Sequence, residues 1–252
     1  MADSSHHAPD EVPVRPAATV MLLRDAETGS ESGGLEVFML RRTSTAAFAG
    51  GMYVFPGGRV DAADGEGDAA FAMAAVRECF EEAGVLLAVD ATGGTVRDGH
   101  PVLEHRHDVH DGTVDVRALA ADHGLSLCTD ELVWMSHWVT PKGESARRFD
   151  TRFFMVASPE GQTSYHDDSE TVASMWVEPG DALRRWAEGE LLLMPPTVAN
   201  LEFLAAHTDV GAAMDAARAV GVPPCILPKV RWADGRVVGV SLPGDADYDS
   251  LD

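Results

Sequence analysis

The chain has 252 residues, 45% of them hydrophobic, and a formal net charge of −22. That length can bury a sizeable core, and that charge argues against a nucleic-acid backbone or an anionic membrane surface as partner. A phosphorylated small molecule stays open as a partner, provided metal ions mask the local charge. Residues 1–14 are polar, with His6 and His7 among them, and are expected to form a disordered tail before a single domain over 15–252. Residues 17–23 and 35–41 read as strands joined through a Gly/Ser/Glu turn, which predicts a hairpin. Residues 52–55 read as a short strand that leads into a tight turn at Phe55-Pro56-Gly57-Gly58. Residues 69–80, rich in Ala, Met and Val, read as a helix with Gly84 as its stop.

An apolar run over 85–89 follows, then a polar stretch over 91–112 with His100, His105, His107 and His110. The irregular histidine spacing favours a solvated insertion, about 90–130, over a metal site. Residues 114–123 read as a helix, and 131–139, with Trp134 and Trp138, as strand or helix. Strands are expected over 147–157 and 171–177, the second ended by Glu178-Pro179-Gly180. Helices over 181–188, 197–207 and 209–220 come next, then a pair of strands over 225–242 around an Asp234-Gly235 turn. Residues from about 207 to 252 read as a C-terminal extension. Trp138 looks exposed; it and the late helices admit core packing or an interface such as a homodimer, and packing is the simpler reading. The start carries no signal peptide, no run of apolar residues suits a membrane span, and Cys79, Cys128 and Cys225 have no zinc spacing. A cytoplasmic protein with no membrane partner is the expectation.

The chemistry concentrates at residues 77–84, Arg-Glu-Cys-Phe-Glu-Glu-Ala-Gly. Glu78, Glu81 and Glu82 stand at i, i+3 and i+4, which gathers them on one helix face. Like charges that close repel one another. A divalent cation reverses that balance, and Mg2+ and Mn2+ prefer oxygen ligands supplied by a few carboxylates and substrate phosphates.

Gly58, Arg77, Glu78, Glu81, Glu82, Gly84 and Val85 together resemble the signature box of the Nudix hydrolases. Two departures mark this chain: Asp64 stands where the box carries its first Glu, and twelve residues separate Asp64 from Arg77 where seven are usual. The resemblance implies an α/β fold, a Nudix-type α/β/α sandwich with a mixed sheet, an insertion after the Nudix helix and extra C-terminal helices. It implies hydrolysis of a pyrophosphate bond in a nucleoside diphosphate derivative with Mg2+ or Mn2+. Glu78 and Glu82 would be direct ligands, and Glu81 a third ligand or the base that positions water. Arg77 would orient the carboxylates, and Gly57 and Gly58 would let the backbone bend close to the site. A further acidic group is expected from a later loop, where Asp167, Asp168 and Glu170 are candidates and Glu170 is the choice. Among Arg41, Arg42, Arg147, Arg148 and Arg152, Arg42 and Arg148 are taken for phosphate binding.

The stretches at 55–64, 77–87, 138–141, 147–154 and 193–197 are similar to the Nudix branch that holds the peroxisomal coenzyme A diphosphatase of animals. That resemblance implies coenzyme A or acyl-coenzyme A as substrate, split into 3′,5′-ADP and a phosphopantetheine. ADP-ribose or NADH is the alternative substrate, and a non-catalytic Nudix-fold nucleotide-binding module the alternative class.

Overall fold

The computed structural model describes residues 12–26, 34–46, 49–143, 145, 147–167, 170–234 and 236–251. Its strands are β1 (Val14–Asp25), β2 (Leu35–Arg42), β3 (Tyr53–Val54), β4 (Gly57–Arg59), β5 (Ala88–Asp90), β6 (Leu125–Leu127), β7 (Val133–Val139), β8 (Arg148–Ala157), β9 (Thr171–Val177), β10 (Cys225–Ile226), β11 (Lys229–Ala233) and β12 (Arg236–Ser241). Its helices are α1 (Gly67–Ala83), α2 (Arg106–His110), α3 (Val116–Asp122), α4 (Pro179–Ala187), α5 (Pro195–Ala205) and α6 (Val210–Val220).

The main sheet runs β10-β7-β8-β1-β2-β3, with β4 also on β1 and β9 also on β2. It is mixed. β1 runs parallel to β8 from Val14↔Arg148 to Leu23↔Ala157 and antiparallel to β2 and β4. Side chains of a strand alternate between faces, and here both faces are buried. Ala18, Val20 and Leu22 of β1, Phe38 and Leu40 of β2, and Phe154 and Val156 of β8 pack under α1. Met21 and Leu23, Val37 and Met39, and Phe153 and Met155 pack on the other side with α4, α5 and α6. Two-sided burial explains why β1 and β2 read as near-continuous apolar runs. The result is helices on both faces of one mixed sheet.

Several expectations need correction. β1 begins at Val14, inside the expected tail; the rest of that tail, with His6 and His7, lies outside the described residues up to residue 11. The inter-strand turn over 27–33 and Gly235 of the last turn lie outside them too. Gly57-Gly58 is not a turn but part of β4, paired to β1 through Thr19↔Gly57 and Ala18↔Gly58. The ambiguous stretch at 131–139 is strand β7. The helix expected over 114–123 is the shorter α3, and α5 starts at Pro195 itself, where a first-turn Pro is tolerated. The insertion is not merely solvated. Val96, Val102, Val109, Val116, Leu119 and Leu125 are all buried in the α1-side core. The extension is likewise structural, because Ala213, Met214 and Ala217 of α6 lie in the opposite core. Trp138 is only 3% exposed and belongs to that core, in line with the packing reading. Among the described residues no helix is long and apolar enough to cross a membrane.

Candidate active site

Helix α1 stops at Gly84, whose φ of 71° is left-handed and whose N–H bonds the Phe80 carbonyl. Glycine alone adopts that cap without a steric penalty. Small residues Ala70, Ala74, Ala75 and Ala83 let the helix lie close to the sheet. β4 passes beside it, and both of its glycines are required there. A Cβ on Gly57 would sit 2.5 Å from the Ala18 carbonyl oxygen, and one on Gly58 would collide with the Glu78 carboxylate.

The three glutamates are buried. Arg77 Nη1 donates to Glu78 Oε1 at 2.9 Å and to Glu81 Oε1 at 3.2 Å. Its Nε and Nη2 clasp both oxygens of buried Asp64 at 3.0 and 2.9 Å, and Nη2 also donates to the Arg59 carbonyl at 2.8 Å. Asp64 therefore has a structural post. Besides gripping Arg77, it accepts from the Asp61 N–H at 2.8 Å, and only Gly65 and Glu66 separate it from the start of α1 at Gly67, so the longer box spacing is taken up mostly within the helix. Glu82 accepts from the Gly57 N–H at 2.8 Å, with Arg42 Nη1 3.9 Å away. His110, from the insertion, lies 3.8 Å from Glu81.

Burial is the main force on the three acids, and it opposes their ionisation. It pushes Glu78 up to about 7 against the pull of Arg77, with the Glu81 charge adding to the rise. Glu81 is raised by burial, again partly offset by Arg77. Glu82 is raised well above the ordinary carboxylate range by burial and the Glu78 charge, with the Gly57 N–H and Arg42 opposing. Burial alone would weaken the charge on Arg77, but Asp64, Glu78 and Glu81 outweigh it and hold Arg77 above its ordinary value.

This set fits a divalent cation in kind: several buried hard-oxygen donors, one shared guanidinium and a surplus of negative charge. Among the described residues, no three His, Cys, Asp or Glu side chains form a ready-made metal cage. Arg77 and the Gly57 N–H hold oxygens of these glutamates instead.

A cleft of about 960 Å³ opens over the glutamates. Arg15, Arg42, Arg59, Arg77, Arg117 and Arg147 all line it, although the chain has only 19 Lys and Arg. Arg42 arrives through an irregularity in the β2–β9 register between Arg41 and Arg42, the kind of bulge that re-aims a side chain. Its Nη2 pairs with Glu170 at 3.2 Å, and Glu170, with its side chain 51% exposed, stands on the same wall. Asp167 is instead buried and holds the turn, accepting from the Thr171 hydroxyl at 2.7 Å and from two backbone N–H groups. Asp168 lies outside the described residues.

Arg148 is the site expectation that the geometry corrects. Its side chain is buried, donates to the Thr140 carbonyl at 3.0 Å and does not line the cleft, whereas its neighbour Arg147 does. Neighbours at a strand end face opposite ways, and nothing in the local sequence sets the phase that chooses between them. Sequence reasoning did not place His110, Arg117 or Trp138 at the site. The valines at 102, 109 and 116 were the available sign that the insertion packs inward and brings such residues with it. Three buried donors on the cleft wall have no acceptor among the described residues: Arg42 Nε, His110 Nδ1 and Trp138 Nε1.

Residues 65–204 match the family model described as the NUDT19 Nudix domain. The chain is 31% identical over 155 residues to the Caenorhabditis elegans protein named putative nudix hydrolase 7, covering 62% of this chain and 50% of that one. It is 35% identical over 150 residues to the human acyl-coenzyme A diphosphatase NUDT19, covering 55% and 40% respectively. The chain thus spans about half the length, or less, of these curated relatives. A solved Nudix hydrolase from Alicyclobacillus acidocaldarius superposes with a TM-score of 0.72 at 30% identity, over 81% of this chain and 97% of that one.

Proposed function

Because the chain belongs to the NUDT19 Nudix domain family, we propose that it hydrolyses the pyrophosphate bond of a nucleoside diphosphate derivative, with coenzyme A or acyl-coenzyme A as the first substrate. The observation that carries the reading is the buried trio Glu78, Glu81 and Glu82 on the floor of an arginine-lined cleft. A non-catalytic module would have no use for three buried carboxylates that repel one another.

A pyrophosphate resists attack because its anionic phosphorus centres repel nucleophiles and its leaving phosphate departs with charge. Mg2+ or Mn2+ on Glu78, Glu81 and Glu82 would neutralise phosphate charge and ease deprotonation of water. The chain's own residues supply the rest. Arg77 holds Glu78 and Glu81 in place, and Asp64 fixes Arg77 from behind. Where Glu81 is not taken up as a third ligand, its carboxylate accepts the proton of the attacking water. Arg42 and Arg147 on the wall hold phosphate oxygens, and Glu170, tethered to Arg42, adds a carboxylate at the rim.

The test is incubation with coenzyme A and Mg2+ or Mn2+, with products separated by chromatography. The expected pair is 3′,5′-ADP and phosphopantetheine. Cleavage of ADP-ribose or NADH but not coenzyme A would replace the substrate and keep the reaction. No cleavage of any of them with either metal would refute the reading.

A further inference from the structure

The cleft does not end at the glutamates. It also takes in Trp138 at the end of β7, Phe149 at the start of β8, and Pro195, Pro196 and Pro228. β7 lies two strands from β1, the strand that carries β4 beside α1. At about 4.8 Å per strand that is about 10 Å along the sheet, far enough for whatever lies beyond a pyrophosphate.

Trp138 is the polar group out of place on this wall. It is 3% exposed, yet its indole N–H meets no acceptor among the described residues. The fold pairs comparable groups elsewhere: Trp134 Nε1 donates to the Ser136 carbonyl at 3.1 Å, and Trp176 Nε1 to the Ser164 hydroxyl at 2.8 Å. Buried donors are rarely left unpaired, and an exception asks for an explanation.

The surroundings say what kind of acceptor would suit it. α5 points its first residues at the cleft, where a helix start usually offers N–H groups to an anion. Here the first two positions are Pro195 and Pro196, which have no N–H, and the Val198 N–H is spent on the Met194 carbonyl. Thr197 lines the same stretch, so this part of the wall offers apolar surface and uncharged donors, the Trp138 indole among them, which suits an organic group.

We infer that Trp138 donates its indole N–H to a neutral acceptor on the organic part of the substrate, a ring nitrogen of the base or an amide carbonyl, and so selects the group attached to the pyrophosphate. The inference rests on the reading of the cleft as a nucleoside diphosphate site.

Calorimetry of wild type and Trp138→Phe with 3′,5′-ADP and with 4′-phosphopantetheine tests it. One half is expected to bind the variant about tenfold more weakly while the other binds as before. Loss on the nucleotide identifies the ring nitrogen, and loss on phosphopantetheine identifies the amide. With the intact substrate the loss appears in KM more than in kcat. Because Trp138 also packs in the core, a second readout uses wild type alone: its indole N–H resonance, shielded from water, shifts when the recognised half is added. Equal affinities for both halves in the two proteins, or an unmoved indole signal, overturn the inference. If wild type still cleaves coenzyme A, the inference falls alone; if wild type binds neither half and cleaves nothing, the functional reading falls with it.

Discussion

Glu82 keeps one oxygen on the Gly57 N–H and leaves the other toward Arg42, 3.9 Å away. It is the member of the trio that Arg77 does not touch. Glu82→Gln keeps the volume and removes the charge, so kcat is expected to fall at least about a hundredfold while the unfolding curve shows an intact fold. An active, metal-dependent variant would contradict its role. The two glycines opposite divide the work differently. A Cβ at Gly57 meets backbone, the Ala18 carbonyl and Thr19 Cα, which cannot move aside. Gly57→Ala is therefore expected to lower stability by about 1–3 kcal/mol in urea unfolding. The atoms nearest a Cβ at Gly58 are those of the Glu78 carboxylate, which can swing away. Gly58→Ala should keep most of its stability and lose activity at least about tenfold, because Glu78 is displaced. If both variants lose stability equally, the close fit at Glu78 is not what Gly58 provides.

At the scale of elements, the insertion supports the site that the preceding helix carries. Arg106 of α2 is 3% exposed. Its Nε donates to the Glu81 carbonyl at 2.8 Å, its Nη2 to the Tyr165 carbonyl at 3.1 Å, and its guanidinium lies 4.6 Å from the centre of the Tyr165 ring. It thus ties the last turn of α1 to the loop before β9, where Asp167 and Glu170 stand. Arg106→Met leaves those carbonyls without donors, and a loss of about 3 kcal/mol is expected in urea unfolding. A loss under about 1 kcal/mol would show that the tie is dispensable. The sequence announced α1 and its acids because both obey the 3.6-residue period and end on a glycine. It announced β1, β2, β8 and β9 through apolar runs. It hid β4, because Gly57-Gly58 has no side chains to alternate. It only hinted at the packing of the insertion, because Val102, Val109 and Val116, though seven residues apart, sit on separate short helical turns joined by loops and not on one continuous helix. It hid the choice between Arg147 and Arg148, because sheet neighbours distant in sequence set which way each residue faces.

Over the whole molecule, negative charge dominates outside and inside alike. The chain carries −22, and within the cleft Asp64, Glu78, Glu81 and Glu82 face Arg77 and, more distantly, Arg42. Without a cation the folded state must hold these acids partly protonated, and this couples stability to pH. Glu78 has a folded value of about 7 against 4.5 for the exposed group. A carboxyl raised in this way stabilises the fold fully below 4.5 and loses that contribution as pH rises through 7. Glu81 and Glu82 are shifted in the same direction. The melting temperature of protein stripped by a chelator is therefore expected to fall between pH 4.5 and 7.5, at about 2–4 °C for each kcal/mol lost in a chain of this size. Below pH 4 the opposite sign takes over, because Asp98, Asp209 and Asp247, held low by hydrogen bonds, lose those bonds on protonation. A divalent ion needs the ionised carboxylates, so the rise in melting temperature caused by Mg2+ or Mn2+ should be larger at pH 8 than at pH 5.5. Glu78→Gln supplies the control: stripped of metal it should melt higher than wild type at pH 8 and gain less from Mg2+. A melting temperature independent of pH over that window, or a greater gain from metal at pH 5.5, would show that the buried trio is neither strained by its own charge nor the place where the cation binds.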